Sequence, residues 1–141
     1  MTHPGLEIKK IGFQDIGYFL LAISFLCFCQ FLIIFIPFAK YYPFFEDKQK
    51  RDTEKISDEK ILIVRKALLR GVKYLPWNGK CLVQALAGKM LLRKFKMPGT
   101  IYLGVAKNTG KMEAHAWLMC GNHFISGKEG HKNFIVVQII S

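Results

Sequence analysis

The chain has 141 residues, of which 51% are hydrophobic and 13% aromatic, and a formal net charge of +11. That length holds one domain with an appendage and excludes two full-sized domains, while the apolar content excludes intrinsic disorder. The charge is lopsided: residues 60–141 carry 14 Lys/Arg against Glu113 and Glu129, whereas residues 1–59 carry 7 basic and 8 acidic side chains. A basic half suits an anionic partner, and nucleic acid, an anionic membrane surface and an acidic peptide all qualify, because net charge steers encounter without naming the partner.

After Asp15 no charged residue occurs until Lys40, and GYFLLAISFLCFCQFLIIFIPFA between them is apolar on nearly every side, long enough to span a bilayer. A buried core helix or helical hairpin fits the same run, since Gln30, Pro37 and crowded aromatics interrupt it. Residues 17–39 are therefore expected either to bind membrane or to pack on the rest of the chain. A secretory signal fits less well, because the run exceeds an ordinary h-region and no small-residue cleavage pattern follows. Lys9 and Lys10 precede the run and Lys40, Lys48, Lys50, Arg51 and Lys55 follow it, which would leave residues 40–141 in the cytoplasm. YYPFFEDKQKRDTEK then joins an aromatic patch, suited to a lipid interface or a core cap, to a polar linker. The expected organisation is a hydrophobic helical segment at 1–45, a linker at 46–55 and a folded domain at 56–141.

Ser57 followed by Asp58 and Glu59 predicts a helix start, with a capping hydroxyl and negative charge in the first turn, and Ile61, Val64, Leu68 and Val72 continue at helical spacing. That helix should end between Gly71 and Tyr74. Pro76, Asn78 and Gly79 predict a turn, and a second helix from Gly79 or Lys80 to Phe95 carries Leu82, Ala85, Leu86 and Met90 as its buried stripe. TIYLGVAK, EAHAWLMC, HFIS and NFIVVQII read as strands, separated by NTGK, GN and GKEGHK. Helix, helix, then consecutive antiparallel strands is an α+β order.

Cys27, Cys29, Cys81 and Cys120 form no CxxC pair and no disulfide framework, which fits a reducing compartment. Zinc on His115, Cys120 and His123 would lack the paired short spacing of structural sites, so no metal is expected. Cys81 in LPWNGKCLVQ sits behind a turn in the first turn of a helix, where unpaired N–H groups and the helix dipole favour a thiolate. In EAHAWLMC, strand alternation puts Glu113, His115, Trp117 and Met119 on one face and Ala114, Ala116, Leu118 and Cys120 on the other. A nucleophile needs a base within hydrogen-bond reach, and a helix-borne cysteine followed by a strand-borne histidine supplies both.

LPWNGKCLVQALAGKMLLRKF, IYLGV and AHAWL together resemble the protease half of the lasso-peptide B proteins, over roughly residues 56–141. The resemblance implies a papain-like or transglutaminase-like core following the hydrophobic helical segment, with a nucleophile helix and then an antiparallel sheet. It also implies a transglutaminase-like cysteine protease that removes the leader from a ribosomally made precursor, with Cys81 as nucleophile, His115 as general base and no cofactor. Its third member is usually an aspartate on the strand beyond the histidine, but no aspartate follows Asp58 here and position 127 is Gly. Glu113, Glu129, the Ser126 hydroxyl or a backbone carbonyl remain open for orienting the imidazole. The Cys81 N–H is a candidate oxyanion donor and Gln84, one turn along the helix, a second, although its position also suits a helix-surface residue.

Fused members of that family carry a leader-recognition module before the protease half, and residues 1–55 show no such pattern. The expected partners are accordingly the precursor peptide, a separate leader-recognition protein, an asparagine-synthetase-like lasso cyclase and, through residues 17–39, the inner face of a membrane. No nucleic acid is expected. The competing readings are a transglutaminase-type acyl transferase using the same pair and a non-catalytic, membrane-anchored protein that presents the precursor.

Overall fold

The computed structural model describes residues 13–46, 56–75 and 81–141. The expected linker beyond Glu46 and the expected turn at Pro76, Asn78 and Gly79 lie outside the described residues. In chain order the elements are α1 (Phe13–Phe35), α2 (Phe38–Phe45), α3 (Asp58–Tyr74), α4 (Cys81–Lys94), β1 (Thr100–Asn108), β2 (Lys111–Cys120), β3 (His123–Ser126), a single 3-10 turn (His131–Asn133) and β4 (Ile135–Ile140). The four strands form one antiparallel sheet in the order β3-β2-β1-β4. This is the α+β architecture, with helices preceding the sheet, that the residue pattern predicts.

α3 begins where its cap does: Ser57 Oγ accepts from the Lys60 N–H at 3.5 Å, and such a cap contributes about 1 kcal/mol. Ile61, Val64 and Leu68 are buried as the helical spacing requires. α4 is enclosed more widely than a single stripe. Val83, Ala87, Leu91 and Leu92 are buried along with Ala85 and Leu86, whereas Leu82 and Met90 are half-buried. The reason is that α4 packs on α1 and α3 on one side and on β2 on the other. Lys89 belongs to this buried circumference and not to the basic surface; its Nζ donates to the Gly99 carbonyl at 2.7 Å and to that of Ile140 at 3.4 Å, so a buried charge is held by backbone acceptors.

The apolar run is two helices, not one. α1 ends at Phe35, and Pro37, extended at φ −62° and ψ 145°, starts α2, because a proline lacks the N–H and disfavours helical backbone in the residue before it. Ala22, Leu26, Cys29 and Leu32 of α1 face α3 and α4 and are buried. Gly71 permits the approach, since a Cβ there would lie 2.8 Å from Leu26 Cδ1. The opposite face exposes Ile16, Leu20, Phe28, Phe31, Ile34 and Phe35. By length and composition Ile16–Phe35 is apolar enough to cross a membrane, a test that core helices and signal sequences also pass. In α2, Tyr41 and Phe45 are buried, and the Arg93 guanidinium lies over the Phe44 and Phe45 rings, 5.4 and 6.0 Å from their centroids. α2 is thus docked beside the C-terminal end of α4.

Candidate active site

Cys81 is the first residue of α4, half-buried, and its Sγ accepts the Ala116 N–H at 3.3 Å. That bond anchors α4 to β2 one residue past His115. The first backbone N–H groups of a helix have no carbonyl one turn back to bond within it, and Cys81 stands at that end of α4. Cys81 and His115 line the same cleft, of about 360 Å³.

His115 is fixed from three directions. Its ring stacks on Trp117 (centroids 5.7 Å apart, planes at 29°) and lies against Phe134 (5.1 Å, 31°). Its Nε2 is 2.8 Å from the Gly127 carbonyl oxygen. A carbonyl can only accept, so Nε2 carries the proton and Nδ1 keeps the lone pair that a base needs. The backbone of the residue standing where the resembled family places an aspartate takes up the imidazole. No side chain fits at that position: Gly127 has φ +73°, and a Cβ would lie 2.5 Å from the Ala116 oxygen and 2.8 Å from Trp117 Cβ.

The remaining candidates are placed differently. Glu113 and Glu129 are exposed, on β2 and in the loop after β3. Ser126 Oγ is buried with no hydrogen-bond partner among the described residues. None of the three bonds to His115. Gln84 is half-buried on α4. His123 pairs with Asp58 across 3.4 Å at the N-terminus of α3, His131 sits against Trp117 and Phe124, and neither lines the cleft. Among the described residues no three metal-ligating side chains converge. Cys120, on the other face of β2, is buried, and burial pushes its thiol up to about 11; at neutral pH it is a protonated, sealed group.

Sequence reasoning left a backbone carbonyl open as the imidazole's partner without locating it, and missed three side chains at the site. The Gly127 carbonyl and the Phe134 ring act through tertiary placement that no local pattern announces. Phe38, read as part of the apolar run, and Tyr41, read as a lipid-facing or core-capping aromatic, line the cleft; their spacing of three on a helix is the available signal.

Residues 43–138 match the family model of the transglutaminase-like superfamily. The match covers more than half of the chain, which therefore belongs to the transglutaminase-like superfamily, a group whose members typically act as cysteine proteases or acyl transferases. No curated protein and no solved structure matches the chain.

Proposed function

We propose that this protein is a cysteine peptidase that releases the leader from a ribosomally synthesised lasso-peptide precursor. The observation that carries the reading is the hold of the Gly127 carbonyl on His115 Nε2 in the cleft shared with Cys81, together with the LPWNGKCL and AHAW blocks. His115 Nδ1 takes the Cys81 proton, and Sγ attacks the carbonyl carbon of the scissile peptide. The Cys81 N–H, at the head of α4, stabilises the oxyanion. As the tetrahedral intermediate collapses, the C–N bond breaks, and the leaving amine takes the proton from His115. Water, losing a proton to Nδ1, then hydrolyses the thioester and regenerates the thiol. The stacked Trp117 and Phe134 rings hold the imidazole in one orientation throughout.

The exposed apolar face of α1 attaches the protein to the cytoplasmic membrane surface. Spanning would conflict with the packing of α1 on α3, because Lys60, Arg65, Lys66, Arg70 and Lys73 would be carried into hydrocarbon. An apolar helix face lying in the interface avoids that cost. A separate leader-recognition protein delivers the precursor, and the basic surface of residues 60–141 steers either of them. The test is precursor cleavage followed by mass spectrometry. Wild type releases the leader and Cys81→Ala does not, while release by the Cys81→Ala protein would end the proposal.

A further inference from the structure

We infer that the cleft beside Cys81 is a side-chain pocket that selects an apolar substrate residue next to the bond attacked, with Val137 and Phe38 setting the preference. The inference rests on Cys81 and His115 acting as the pair proposed above. Around that pair the walls are Phe38 and Tyr41 of α2, Leu82 of α4, Leu103 and Val105 of β1, and Val137 of β4. Among the described residues lining the cleft, none is charged or carries an amide side chain. A glutamine side chain seated against these walls would give up water at its amide to mostly apolar neighbours. A leucine or phenylalanine side chain would give up only the water that apolar surface repels.

Two backbone features build this pocket. The pairing of β1 with β4 slips between Leu103 and Gly104: Leu103 faces Gln138 and Gly104 faces Val136, leaving Val137 as the extra residue of a bulge. A bulge puts its extra side chain on the same side as its neighbour, and here it turns Val137 toward the cleft on the Leu103 side. Val137 is 61% exposed on an edge strand, so it contributes little to the core. The second feature is the break at Pro37, which starts α2 and brings Phe38 to the rim. There it stacks on Tyr42 (5.3 Å, 18°) and meets the edge of Tyr41 (5.4 Å, 87°). The N-terminal helices therefore take part in choosing substrate as well as in attachment.

The test uses full-length protein and a set of blocked dipeptide chloromethyl ketones differing only in the side chain next to the electrophile: Leu, Phe, Gly, Gln, Lys and Glu. The readout is the rate of adduct formation at Cys81 by peptide mass mapping. Leu and Phe probes should react about ten- to a hundredfold faster than the others. Val137→Glu should shift the preference from the Leu probe toward the Lys probe, and Val137→Lys should shift it toward the Glu probe, each rate being taken as a ratio to iodoacetamide alkylation of Cys81 in the same variant. Equal rates across the set, with Cys81 still the residue modified, would overturn the pocket and leave the pair standing. No adduct at Cys81 with any probe would overturn both.

Discussion

Along β2 the residues directed at α4, Ala116, Leu118 and Cys120, are buried, whereas on the other face His115 is half-buried and Glu113 exposed, with Trp117 closing over the gap. The inner face has the uniform burial of a core, and the Cys120 thiol there is raised by that burial. The other face carries an imidazole stacked between aromatics and bonded at one nitrogen, while the cleft that this ring reaches is lined from the α4 side by Cys81, Ala114 and Ala116. Two cysteines of one domain differ accordingly. Cys120 is sealed in the core, and Cys81, at the head of α4, lines a cleft.

The sharpest way to break that comparison is to exchange the two cysteines' fates. Cys81→Ala should abolish leader release with circular dichroism unchanged, whereas Cys120→Ala should retain activity and lose stability through a small cavity. Equal loss of activity in both, with the fold intact, would remove the distinction. His115→Ala should lower the rate by on the order of a hundred- to ten-thousandfold, and a fall of less than about tenfold would mean that another group serves as base.

Next in size is the imidazole's hold. Gly127→Ala should lower kcat markedly while leaving KM near wild type, because the added Cβ meets the Ala116 oxygen and shifts the carbonyl from Nε2. Glu113→Gln, Ser126→Ala and Glu129→Gln should each leave the rate near wild type; a large loss in any one of them would move the orienting role to that side chain. A leader-recognition partner should accelerate cleavage severalfold, with the gain shrinking as salt rises, since steering between exposed charges is screened. Full-rate cleavage by the isolated protein would show unaided recognition.

The smallest effect concerns the inner face. The unfolded chain loses the Cys120 proton near an ordinary thiol value of 9.0, while the folded protein keeps it to about 11. The contribution of this burial to stability is therefore complete below pH 9 and is lost as pH rises toward 11, at up to about 1.4 kcal/mol per pH unit. Thermal melts of wild type and Cys120→Ala across that window should converge in pH dependence below 9 and diverge above it.

Much of this arrangement is legible in the sequence. Ser57 marked the start of α3, the alternation of EAHAWLMC marked the two faces of β2, and the turns NTGK and GN fell between strands. These are local signals, set by caps, periods and turn residues. What escaped was set by pairing and packing at long range. The stripe on α4 widened because three elements enclose it, Lys89 was drawn inside by two carbonyls, and the bulge at Val137 exists only in register with β1. The partner of the imidazole is narrowed by sequence only to three side chains or a backbone carbonyl, because residue identity at 127 shows a glycine and the atom that meets His115 Nε2 is its backbone oxygen.

The most direct test is acid-quench trapping of the acyl-enzyme during precursor cleavage, with the adduct located by peptide mass mapping. A thioester between the leader's acyl group and Cys81, reduced in His115→Ala, is the expected result. Cleavage that proceeds with the adduct on another residue, or at an undiminished rate in the Cys81→Ala protein, would contradict the account.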